Sequence, residues 1–131
     1  MGLFGEKKNK PFSAFHYEGL PDFDTDYPCL VDVTSDSIII KRSKPEVTVT
    51  LPIERITAIS PMEEKNFMMK YHGNSGSRKI LGNKRHFVVI EYQNKEGEFK
   101  HFSLWALTHQ AMPLIGLQNI KKNNAPRNHE L

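Results

Sequence analysis

Residues 87–107 read FVVIEYQNKEGEFKHFSLWAL. Two runs rich in β-branched and aromatic side chains, 87–92 and 99–107, flank a polar stretch that contains Gly97, which is the pattern of a β-hairpin. Along the second run Phe102, Leu104 and Ala106 alternate with His101, Ser103 and Trp105, so the first set is assigned to the core face. Trp105, the sole tryptophan, then falls on the opposite face. It is either a packing residue between sheet and helix or an exposed contact for a partner, since interface energy concentrates on such side chains.

Upstream of this hairpin the chain repeats the same grammar. Residues 12–17 (FSAFHY) alternate with aromatic side chains on both faces and stop at Gly19-Leu20-Pro21, as a strand does. Residues 29–33 (CLVDV) and 37–41 (SIIIK) are joined by Thr34-Ser35-Asp36, a second hairpin. Val47, Val49 and Leu51 mark a half-buried strand after Lys44-Pro45-Glu46. Ile53, Ile56 and Ile59 ahead of Pro61 are expected to form a turn feeding a further strand. Phe67, Met69 and Tyr71 alternate with Met68, Lys70 and His72, and a strand is expected over 66–72. Residues 73–85 form a glycine-punctuated basic loop. Near the end, Pro113 suits a first helical turn, and Leu114, Leu117 and Ile120 line one face of a helix that Gly116 weakens.

These elements predict a mostly β fold of the α+β kind, a bent antiparallel β-barrel or sheet capped by one C-terminal helix. The domain is expected over residues 12–122, with flexible tails at 1–11 and 123–131. At 131 residues the chain suits one core. A net charge of +3 and a pI near 9.0 permit anionic partners without the concentrated excess of a nucleic-acid binder, so nucleic acid is not expected. Cys29 is the single cysteine, which rules out an internal disulfide and a cysteine-built zinc site. The absence of a secretory segment or a long apolar run predicts a cytoplasmic chain, at most peripheral to a membrane.

The strand ending in Glu18-Gly19-Leu20-Pro21, the paired strands around Val31 and Ile39, the step LPIERITAI at 51–59, and FVVIEY at 87–92 through Phe102 to a final helix together resemble bacterial pleckstrin-homology-like (PH-like) domains. The resemblance spans roughly residues 12–122. It implies a strongly bent antiparallel sheet, closed or nearly closed into a barrel, with the helix plugging one end, and it implies binding rather than catalysis. Relatives that hold phosphoinositides do so through basic residues between their first two strands. Here residues 19–28 carry three aspartates and no lysine or arginine, so that site is not carried over. The segment before Phe87 is short and basic rather than a long apolar insertion, which removes any role depending on such an insertion.

Residue chemistry points the same way. The histidines show no HxxxH or HExxH spacing, so no metal and no cofactor are expected. Cys29, between Pro28 and Leu30, reads as a small apolar strand residue rather than a nucleophile. Residues 22–26 (DFDTD) have the composition of a calcium loop without its glycine or distal glutamate, and a solvated loop is expected. Residues 73–79 fail the spacing of a phosphate loop. Arg78, Lys79, Lys84 and Arg85 form a candidate site for anionic lipid headgroups or an acidic protein patch, with Leu3 and Phe4 as a candidate membrane or docking anchor. No catalytic residue is assigned. The expected function is a non-enzymatic module for protein interaction or self-association, acting through a sheet edge or the groove beside the C-terminal helix. The alternative is an adaptor on anionic membranes.

Overall fold

The computed structural model describes residues 10–74 and 84–120. Seven antiparallel strands form one sheet: β1 (Phe12–Glu18), β2 (Tyr27–Val33), β3 (Ser37–Arg42), β4 (Val47–Pro52), β5 (Ile56–Glu63), β6 (Arg85–Gln93) and β7 (Phe99–Leu107). Their order is β4-β3-β2-β1-β7-β6-β5. A helix, α1 (Glu64–His72), follows β5, and a short helix, α2 (Ala111–Ile115), lies near the end between two 3-10 turns, Thr108–Gln110 and Gly116–Asn119. The expected hairpins hold: β2 pairs with β3, and β6 with β7 from Arg85↔Leu107 to Gln93↔Phe99. Gly97, at φ +82°, turns the second hairpin, a conformation glycine adopts without steric cost.

The strand order dictates curvature. β4 and β5 are the two outermost strands. In a flat sheet they would stand about 29 Å apart, six spacings of about 4.8 Å. Only Ile53–Arg55, a 3-10 turn, joins them, and so short a connection spans about 14 Å at most. The sheet must therefore curl until its edges approach. Consistent with this, Ile38 and Ile40 of β3, Leu51 of β4, Ile56 of β5 and Ile90 of β6 share one core with Phe102, Leu104 and Leu114. The curl stops short of closure: β4 and β5 are not hydrogen-bonded neighbours.

The stretch expected as a strand over 66–72 is instead α1. Its buried residues Glu64, Phe67 and Met68, with half-buried Tyr71, fall at the i, i+3, i+4, i+7 spacing of one helical face. Gly73 ends it at φ +68°, a left-handed helix stop. Alternation of Phe67, Met69 and Tyr71 mimicked a strand because Glu64, the first member of the helical stripe, reads as a surface charge. α1 covers the outer face of β6 and β7, where Phe67, Met68, Phe87, Val89 and Trp105 form a second cluster. β7 is thus buried on both faces from Phe102 to Ala106.

The C-terminal helix is shorter than the Pro113–Ile120 periodicity implied. Regular α-helix ends at Ile115, and the chain tightens into a 3-10 turn from Gly116, where helix propensity is lowest. Leu114 and Leu117 still reach the core. No described helix is long and apolar enough to cross a membrane.

Candidate functional site

A concavity that reaches the core lies beside this C-terminal segment. Phe12 at the start of β1 and Val33 at the end of β2 form one wall; Pro113, Gly116, Leu117 and Ile120 form the other, and Lys10 and Asn119 stand at the rim with Pro11. The groove holds about 490 Å³, within the range of small-ligand and peptide-anchor pockets. Among the described residues its lining side chains are apolar apart from those of Lys10 and Asn119, and no carboxylate takes part. Register explains the first wall: Phe12 pairs with Val31, so β1 enters the sheet with the end of β2 beside it. Gly116 has αR backbone angles, φ −61° and ψ −17°, and nothing stands within 4 Å of the place a Cβ would take, so the groove is open there. Leu117 and Ile120 were legible as a helix face. Lys10 and Pro11 were not, because composition assigned them to the tail, and a rim residue carries no periodic signal.

Two members of the candidate basic cluster, Lys84 and Arg85, fall among the described residues. Lys84 is exposed. Arg78 and Lys79 lie outside the described residues, as do Leu3 and Phe4. Arg85 is a correction: it is 3 % exposed, and its guanidinium turns inward to hold carboxylates of this chain instead of an external anion. Nη2 donates to Glu64 Oε2 at 2.5 Å and Nη1 to Asp26 Oδ1 at 3.3 Å. The rings of Trp105, Phe87 and Tyr17 surround it, with Cζ 5.0, 5.2 and 5.6 Å from their centroids. Cation–π attraction and two charge-assisted hydrogen bonds offset the desolvation of the guanidinium. Burial pushes the Tyr17 phenol above its ordinary range, with Arg85 pulling the other way.

Trp105 belongs to the same buried assembly. It is 3 % exposed, stacks on Phe15 at 4.3 Å and 14°, and donates Nε1–H to Asp26 Oδ1 at 2.9 Å. Of its two readings, packing is the one observed, but against α1 and β1 rather than under the C-terminal helix. Asp26, read as part of a solvated acidic loop, is what ties that loop to the sheet.

The loop has a second anchor in His16, which is buried in β1. Its Nδ1 lies 2.9 Å from the Asp24 carbonyl oxygen, and its Nε2 accepts the Leu20 N–H at 3.1 Å. A carbonyl only accepts and an amide N–H only donates, so the ring is neutral with its proton on Nδ1. Burial lowers the pKa below the ordinary 6.5, opposed by the Asp24 carbonyl and the nearby Glu18 and Asp24 carboxylates. The sign follows from linkage: the unfolded histidine binds the proton more readily, so the stabilisation is complete above about 6.5 and fades as pH falls toward the lower folded value. Urea midpoints measured from pH 7.5 to 5 should fall, with a slope from this group of at most about 1.4 kcal/mol per pH unit. A His16→Gln variant should show a flatter profile over that window; an unchanged slope would mean that His16 does not carry it.

Groups for other chemistry are not gathered. Among the described residues no three His, Cys, Asp or Glu side chains form a metal-holding group. Cys29 is buried in β2, and desolvation pushes its thiol up to about 12, a range in which the nucleophilic thiolate is scarce. Comparison of the chain with protein-family models, curated proteins and solved structures gives no match.

Proposed function

We propose that this chain is a non-enzymatic binding module of PH-like fold whose groove beside the C-terminal helix holds a short partner peptide. The peptide would present apolar side chains to Phe12, Val33, Leu117 and Ile120 and an acidic group to Lys10. The observation that carries this reading is the groove itself: apolar side chains from three elements and, among the described residues, a single cation at the rim, the pattern by which helix-lined grooves select anchor side chains. Supporting the PH-like part are the antiparallel strand order, the curl imposed by the three-residue β4–β5 connection and the C-terminal helix on the core. The membrane alternative is the weaker reading, because Arg85 is committed to Glu64 and Asp26 and Lys84 alone of that pair faces solvent.

Gly116→Phe tests the site with little risk to the fold, since its backbone angles suit any residue and the added ring would enter the groove. Peptides selected from a random display library against the whole chain should carry apolar residues beside an Asp or Glu. Gly116→Phe should weaken them at least tenfold, about 1.4 kcal/mol, with thermal stability unchanged or higher. Binding should persist at high salt, where headgroup attraction fades. Peptides that bind Gly116→Phe as tightly as the parent, or binding only to anionic phosphatidylserine vesicles at low salt, would overturn the assignment.

A further inference from the structure

The two edges of the sheet are treated differently. β5 packs against the Gly116–Asn119 turn and α1, and Pro61 interrupts its donors, two ways in which edges are protected from pairing. β4 carries its one proline, Pro52, only at its last position, where it removes no donor from the middle of the strand. It reads VTVTLP, carries no charge between Glu46 and Glu54, and among the described residues pairs on one side only, with β3. Thr48 and Thr50 are exposed on the outer face, and Val47 and Val49 are half-buried on the core side. A cleft of about 200 Å³ opens next to Val49 and Leu51, bordered across the gap by Tyr92 and Asn94.

We infer that the β4 edge pairs antiparallel with β4 of a second copy of this chain, joining two seven-stranded sheets about a two-fold axis at Val49. Two-fold antiparallel pairing sets residues opposite when their numbers have a fixed sum, and the axis must pass through a residue so that facing side chains share a face. With the axis at Val49, Val49 faces its own copy, Thr48 faces Thr50, and Val47 faces Leu51. Each is a favourable cross-strand pair of β-branched or aliphatic groups. The Val47–Leu51 pairs cover the half-buried apolar side, and the threonines remain in water. The same sum sets Glu46 of one copy toward Pro52 of the other, and no charge lies between Glu46 and Glu54, so no like charges meet along the paired strands. That self-complementarity selects a second copy as the occupant over an unrelated strand. The surface is distinct from the groove beside α2, so peptide binding and pairing are independent.

Sedimentation velocity of the full chain over a concentration series should show a mass rising from 15.1 kDa toward twice that value. Thr48→Lys combined with Thr50→Lys places ammonium groups opposite one another and should hold the chain at the monomer mass with an unchanged far-UV spectrum. The register is read by cysteine. Directly opposed residues have Cα atoms about 5 Å apart, within disulfide reach, whereas positions two residues out of register are about 7–8 Å apart or more. Under oxidised glutathione Val49→Cys should give a covalent dimer and Thr48→Cys should not, while Thr48→Cys mixed with Thr50→Cys should. Buried Cys29, whose thiol stays protonated, adds little background. A monomer at every concentration, a dimer indifferent to the two lysines, or cross-linking of Thr48→Cys at the rate of Val49→Cys would each overturn the proposal.

Discussion

Gly19→Ala is expected to cost about 3–5 kcal/mol, a large share of the 5–15 kcal/mol that a domain typically holds. Gly19 sits at φ +110°, outside the regions an L-residue adopts readily. A Cβ there would lie 2.5 Å from the His101 carbonyl oxygen and 2.6 Å from Phe102 Cα. Both obstacles are backbone of β7, a strand buried on both faces at Phe102, so neither can withdraw. The close approach has a structural cause: β1 shifts register against β7 between His16 and Glu18, and the chain then turns sharply over β7 to begin the loop that carries Leu20, Asp24 and Asp26. Gly73→Ala supplies the control. Gly73 also has positive φ, +68°, but nothing lies within 4 Å of its added Cβ, so it should cost about 1–2 kcal/mol for the left-handed conformation alone. Urea denaturation of both variants separates the two terms. Equal losses would show that the crowding at β7 contributes nothing.

Arg85→Met is the second large effect, expected at about 3–5 kcal/mol, the usual penalty for removing one partner of a buried ion pair. The methionine fills part of the volume and keeps the apolar contact with Phe87 and Trp105, but Glu64, 5 % exposed, is left with its carboxylate buried without the guanidinium. Pairing with Glu64→Leu distinguishes charge from packing. If the loss comes from the carboxylate deprived of Arg85, the double variant should recover at least half of it, because apolar replacement of a whole buried pair is often neutral. Guanidinium denaturation of the two single variants and the double gives the coupling directly. A single-variant loss under about 1 kcal/mol would mean that the pair does not organise this side of the sheet. The consequence extends beyond β6, since Arg85 and Trp105 both converge on Asp26 Oδ1, and the 19–26 loop would lose one of the bonds that tie it to the sheet.

Arg85 also explains why an arginine at the end of a basic run was misread. In sequence it continues Lys84, and both look like members of one cationic patch. At the first position of β6, paired with Leu107, it lies on the face that α1 covers, and α1 brings Glu64 there. Lys84, one residue earlier and outside the strand, faces water. The same reasoning applies to Asp26. Its acidic neighbours Asp22 and Asp24 are exposed, and nothing in residues 22–26 marks the one whose carboxylate meets an indole N–H 79 positions away.

What was legible in the residues was local. Alternation, β-branched runs and turn residues lie within ten positions of one another, and they specified six of the seven strands, the two hairpins and the apolar face of the C-terminal segment, since a strand's two faces and a turn's backbone angles depend on near neighbours. Composition likewise marked Cys29 as a core residue. The rest depended on which elements meet. Helix α1 was hidden because its stripe begins with a carboxylate that becomes apolar-compatible only beside Arg85. Both faces of β7 are buried because a helix 30 residues upstream folds back over it, which no periodicity within β7 can encode. The groove needs Lys10, Val33 and Ile120 at one place, and the open β4 edge exists only because curling brings β4 near β5 without letting them pair. Such sites are products of long-range packing, in which the same side chain is a solvated charge or a buried anchor according to what the fold sets against it.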